Sequence, residues 1–117
     1  LLHGDKHMCN IWTSGYPDTI GYQDGFKYTS PIGYFEANSL GIFDMAGNVW
    51  EWCYNWHLPY EGNLEVFPLD LQGRAQRGGS FLCNSNYCHG YRLSARSATS
   101  PESSLFHVGF RCVKNIK

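Results

Sequence analysis

Apolar residues in this chain almost never recur at helical spacing. The best amphipathic candidate is the short run "SLGIFDMAG", and Gly41 and Gly47 break it. Aromatic residues make up 16% of the sequence, and there are thirteen glycines. Large rings packed around tight turns can build a core with little regular helix. The expected class is therefore α+β with much irregular structure, made of short strands and no long helix.

Reading along the chain fills in that picture. Residues 1 to 40 are punctuated by glycine, proline and aspartate, but carry aromatics every few positions, so they read as ordered loop. "IFDMAGNVWEWCYNW", residues 42 to 56, is a tight turn followed by an apolar strand. Alternation there sets Trp50 and Trp52 on one face and Val49, Glu51 and Cys53 on the other. His57 to Gln76 reads as a surface loop, and residues 77 to 97 as two strands with a turn between them. "SATSPESSLFHV" reads as another loop, and "GFRCVK" as a closing strand.

At 117 residues the chain holds one domain at most. Net charge is −1, and lysines and arginines stand singly, so no basic footprint for nucleic acid is present. Apolar runs are only a few residues long, too short to span a membrane. The chain opens Leu-Leu, which reads as something other than a biological start, and its first residues lack a secretory pattern. Five cysteines cannot all pair within the chain, so compartment is left open.

The chemistry concentrates in "RGGSFLCNSNYCHGYRLSAR", residues 77 to 96. Residues five apart on a straight strand face opposite sides, so Cys83 and Cys88 meet only if the chain reverses between them. Asn84, Ser85 and Asn86 are turn formers that allow it. Slight closure gives a disulfide. Slightly wider spacing lets two thiolates grip one soft ion, and two sulfurs alone suit Cu(I) better than zinc. Spacing by itself favours a structural disulfide over a reactive or metal-binding pair.

The surroundings change that balance. "GIFDMAGNVWEW", "RGGSFLCNSNYCHGYRLSARSATSPESS" and "GFRC" closely resemble the formylglycine-generating enzyme family, the sulfatase-modifying factors. The Cys-x4-Cys segment with Tyr87 before its second cysteine is the most specific part. The resemblance implies the fold of that family, related to C-type lectins, with residues 1–117 as the C-terminal portion of a single such domain. It implies an oxidase that uses dioxygen and a thiol reductant to convert the cysteine of a Cys-x-Pro-x-Arg segment in an unfolded sulfatase to formylglycine. Cys83 and Cys88 would ligate Cu(I). Ser80 and Tyr87 would offer hydroxyls to oxygen or substrate, and Trp50 would wall the pocket. For each hydroxyl a local backbone hydrogen bond is the plain alternative.

Calcium enters by the same route. "DMAGNVWE" sets Asp44 and Glu51 around a glycine turn, and from residues alone a turn-capping Asp44 and an exposed Glu51 are favoured. The resemblance reverses this. It implies structural Ca2+ at Asp44, Gly47, Val49 and Glu51, and a second ion at Asn10, Ile11, Asp24 and Phe26.

Other residues carry plainer expectations. Arg92 and Arg96 read as solvated salt-bridge partners, and His89 as a bystander to Cys88. Relatives often have histidine where Asn84 stands, and some have cysteine where Leu93 stands, which bears on peptide preference. Cys112 matches a cysteine that bonds elsewhere in some relatives. Cys9 and Cys53 read as buried free thiols. Two rival functions remain: a non-catalytic binding module of the same fold, and an iron-dependent small-thiol oxidase of the same superfamily.

Overall fold

The computed structural model describes residues 2–15, 22–58 and 73–115. Two sheets occur among them. The first is a minimal hairpin of β1 (Leu2–His3) and β2 (Lys6–His7). The second has four strands: β3 (Trp50–Trp56), β4 (Arg74–Arg77), β5 (Ser97–Thr99) and β6 (Val108–Gly109), in the order β5-β4-β3-β6. β4 runs antiparallel to both neighbours, and β6 lies parallel to β3.

β3 is the longest element, as the aromatic alternation of "WEWCYNW" predicts. Its pairing with β4 is in register at Glu51–Arg77 and Trp52–Gln76, then shifts before Trp56 meets Arg74. The Arg74 guanidinium stacks 4.0 Å over the Trp56 ring at that end. No helix is found among the described residues, so "SLGIFDMAG" forms turns.

Three local expectations change. Residues 78 to 96 are a looped excursion between β4 and β5 and not a pair of strands. The chain leaves the sheet at Gly78 and Gly79, both with positive φ (93° and 72°). A β-carbon on Gly79 would lie 2.6 Å from the Tyr91 amide nitrogen, so only glycine lets the two ends of this excursion close. Ser97–Thr99, read as loop, pairs with Arg74–Gln76. The closing strand is only Val108–Gly109, because Arg111 turns back to Glu51. Within the expected 57–76 loop, residues 59–72 lie outside the described set, and its end joins β4.

Few apolar side chains are fully buried: Cys9, Ile11, Phe35, Ala75, Phe81 and Cys83. Polar residues are buried beside them, and hydrogen bonds knit the loops together. Asn48 is the centre of that net, at φ 63°, a conformation that asparagine tolerates better than most residues. Its N–H donates to the Asn10 carbonyl (2.8 Å), and its carbonyl accepts from Phe81 N (2.9 Å). Its side-chain oxygen accepts from Ser30 N at 2.9 Å and Asn10 Nδ2 at 3.2 Å. Pairing of buried polar groups thus holds what a regular ladder would otherwise hold.

Candidate active site

The excursion between β4 and β5 brings Cys83 and Cys88 together, with Cα atoms 4.6 Å apart and the sulfurs joined as a disulfide. A reversal at Asn84 does this. The Asn84 carbonyl accepts from Tyr87 N (3.3 Å) and Cys88 N (3.0 Å), while its side-chain oxygen accepts from Asn86 N (2.8 Å). An Asx turn of this kind is what the Asn-Ser-Asn sequence favours. Cys83 is 1% exposed and Cys88 is half-buried, so the pair opens outward on the Cys88 side.

Trp50, at the start of β3, closes the inner side. A β-carbon on buried Gly90 would overlap the Trp50 indole and lie 3.1 Å from Cys83 Sγ, so indole and sulfur share one small space. Ser80 is 1% exposed and turns into the same region. Its N–H points to Cys83 Sγ at 3.5 Å, and its hydroxyl oxygen accepts from Leu82 N at 3.3 Å. The local backbone bond named as the alternative for Ser80 is therefore present. Tyr87 lies on the turn itself, 73% exposed at the rim. The His89 ring nitrogen meets the Ser85 carbonyl across the same turn, a bracing contact that the sequence did not suggest.

The Asp24 carboxylate ties Phe26 to the Asn10–Ile11 segment. Asp24, 7% exposed, accepts from Ile11 N through one oxygen (2.9 Å) and from Phe26 N through the other (3.1 Å). Asn10 is 1% exposed, and its side-chain oxygen is buried with no hydrogen-bond partner. A buried carboxylate bonded to the residue after Asn10, and an orphaned Asn10 amide oxygen, are oxygen donors of the kind that a hard cation satisfies. These residues fit calcium.

Asp44, Val49 and Glu51 line a cavity of about 360 Å3, with Gly47 in the turn between them. Asp44 accepts from Gly33 N at 2.7 Å. Glu51 faces Arg111, whose guanidinium donates to both carboxylate oxygens (2.7 and 2.5 Å) and to the Phe43 carbonyl (3.0 Å). The Glu51 bonds hold the Arg111 pKa above its ordinary value. Arg111 thus occupies both Glu51 oxygens, and an ion at this set would share that carboxylate with the guanidinium or displace it. Arg111 was visible in "GFRC" only as part of a motif. Neither donor set clusters three histidine, cysteine or acidic side chains, and no such cluster occurs among the described residues.

The remaining candidates are structural. Arg96 donates to the Leu58 carbonyl at 2.8 Å, and Arg92 is exposed. Arg77, which drew no notice in the sequence, donates to the Leu93 (2.7 Å) and Ala95 (3.1 Å) carbonyls and anchors the returning end of the excursion. Cys9 is buried, and burial pushes its thiol up to about 11. Cys53 is half-buried and Cys112 exposed. Burial lowers the pKa of His107, whose carbonyl accepts from Trp50 N at 2.8 Å.

Comparison with known proteins places this arrangement. The family model for the sulfatase-modifying factor enzyme 1-like domain matches residues 2–116. A formylglycine-generating enzyme of Thermomonospora curvata is 39% identical over 115 residues, spanning 92% of this chain and 38% of that protein. The inactive C-alpha-formylglycine-generating enzyme 2 of Mus musculus is 29% identical over 109 residues, spanning 91% of this chain and 32% of that protein. The solved Treponema denticola variable protein 1 superposes with a TM-score of 0.58 at 27% identity, over 86% of this chain and 34% of the other. The chain thus spans between three and four tenths of the length of these relatives. With its strand and loop architecture and its Cys83–Cys88 turn, the chain belongs to the formylglycine-generating enzyme (sulfatase-modifying factor) family.

Proposed function

We propose that this chain carries the metal-binding cysteines of a formylglycine-generating oxidase. The substrate is the cysteine of a Cys-x-Pro-x-Arg segment in an unfolded sulfatase, and the co-reactants are dioxygen and a thiol reductant. The observation that carries the reading is the juxtaposition of Cys83 and Cys88 on one turn, against Trp50 and open on one side. The similarity to the Thermomonospora curvata enzyme supports it.

In the reduced form, Cys83 and Cys88 present two soft sulfurs that suit Cu(I) and leave room for a third. When bound, copper supplies the redox chemistry toward dioxygen. Cys83 is the fixed member, gripped by its own backbone bonds, and half-buried Cys88 faces the entry side, where a substrate thiol approaches. The Trp50 indole keeps water from the buried sulfur. Ser80 spends its oxygen lone pair on Leu82 N, which leaves its proton to donate toward oxygen or substrate. Tyr87 on the rim orients the peptide. Dioxygen accepts more electrons than a thiol-to-aldehyde conversion releases, so the reductant thiol supplies the balance.

Calcium at Asn10, Ile11, Asp24 and Phe26, and at Asp44, Gly47, Val49 and Glu51, would hold loops that have little sheet of their own. The test is to mix the intact polypeptide, Cu(I) and a Cys-x-Pro-x-Arg peptide and to look for the aldehyde by mass spectrometry. Conversion supports the oxidase. No conversion, with no tight Cu(I) binding, supports the second reading, a non-catalytic binding module, which the similarity to the inactive mouse relative favours.

A further inference from the structure

The cysteine turn and the Asn10–Asp24 donor set are tied together by the segment 10–14. Trp12 N donates to the Cys83 carbonyl at 2.9 Å. The Asn84 side-chain amide donates to the Trp12 carbonyl at 3.1 Å and to the Ser14 carbonyl at 2.6 Å. A second tie runs from the Asn10 carbonyl through Asn48 to Phe81, within the same excursion. Asn84 is 4% exposed, and both of its amide donors and its oxygen are engaged. Its oxygens shape the cysteine turn, while its amide donors reach out of the turn to the 12–14 segment.

We propose that Asn84 is a positioning residue that couples an ion at Asn10, Ile11, Asp24 and Phe26 to the redox state of Cys83 and Cys88. The proposal rests on the calcium set and the redox-active pair described under the proposed function. A cation bound at Asn10 and Ile11 fixes the carbonyls of Trp12 and Ser14 as acceptors. Asn84 converts that order into a fixed turn, because its own carbonyl holds Tyr87 N and Cys88 N. A more rigid turn raises the local concentration of one thiol at the other, as a shortened loop does. Calcium therefore favours the disulfide over the two thiols. Coupling between sites is reciprocal, so the disulfide form binds calcium more tightly by the same factor.

The experiment equilibrates the intact polypeptide in glutathione buffers. There the disulfide and two reduced glutathiones exchange with two protein thiols and oxidised glutathione. Alkylation and mass spectrometry then count the Cys83 and Cys88 thiols, with calcium or with a chelator. Calcium is expected to shift the equilibrium toward the disulfide about five- to tenfold, at the low end of typical coupling. Asn84→Ala should remove the shift while calcium still binds by calorimetry. Should that variant not fold, Asp24→Asn in calcium should match the calcium-free parent. A calcium-insensitive equilibrium, absence of calcium binding, or a full shift in Asn84→Ala overturns the proposal. None of these readouts needs copper or peptide. A shift in a protein that binds no Cu(I) upholds the coupling and removes only the oxidase.

Discussion

Trp50 lies across Gly90 so closely that a β-carbon on the glycine would clash with the indole ring. Gly90→Ala forces either the ring or the cysteine turn to move, and overpacking of this kind costs about 1–3 kcal/mol. Urea unfolding of the variant should show a loss of that size. A stability equal to that of the parent would show that the indole is not held in place, and the pocket wall would lose its support.

The cysteine pair and the calcium sets use different atoms. Cys83→Ser or Cys88→Ser should abolish peptide conversion and leave calcium binding, by calorimetry, equal to that of the reduced parent. Parent-like turnover in either variant contradicts the copper assignment.

Glu51 and Arg111 form a two-pronged pair, with the arginine side chain 36% exposed and the glutamate 21%. Solvent screening at that exposure limits the pair to about 1 kcal/mol. Glu51→Gln should cost about that much in low salt and less as salt rises, and it should also weaken calcium at Asp44 and Gly47. An unchanged denaturation midpoint would show that the pair contributes nothing to stability.

His107 should give the protein a pH dependence of known sign. Burial lowers its pKa from the ordinary value near 6.5, so the unfolded chain takes up a proton more readily than the folded one. Its contribution is complete above about pH 6.5 and is lost as pH falls below that value. Urea midpoints should fall between pH 7 and pH 5 more steeply in the parent than in His107→Phe. Parallel profiles contradict the assignment.

Cys9 and Cys112 should separate in reactivity. Burial holds the Cys9 thiol at a pKa of about 11, whereas Cys112 is exposed. In the native protein at pH 8, iodoacetamide should label Cys112 quickly and Cys9 only after denaturant is added. Equal labelling would show that the core around Cys9 opens readily.

Sequence pattern went furthest where chemistry is local. The Asn84–Asn86 reversal and the β3 strand follow from residue types within a few positions of each other. The family resemblance implies both donor sets, and the orphaned Asn10 oxygen is a physical reason to propose an ion at one of them. Residues 77 to 97 read as two strands because Phe81, Tyr87 and Tyr91 lie within them, and only the paired glycines mark the departure of 78–96 from the sheet. Arg77, Arg111 and Asn84 act on carbonyls and carboxylates between 16 and 72 positions away, and no local pattern encodes such distances. β5 escaped notice because Ser-Ala-Thr carries no apolar alternation; backbone pairing and the Thr99 hydroxyl, which donates to Gln76 Oε1 at 3.2 Å, hold it to β4.

Copper coordination is the most direct test of the central claim. The reduced, intact polypeptide should be titrated with Cu(I) against a competing chelator, and the complex studied by X-ray absorption. The account predicts a single tightly bound Cu(I) with two sulfur neighbours, lost in both Cys83→Ser and Cys88→Ser. Weak binding, or a bound ion whose sulfur neighbours persist in those variants, would contradict it.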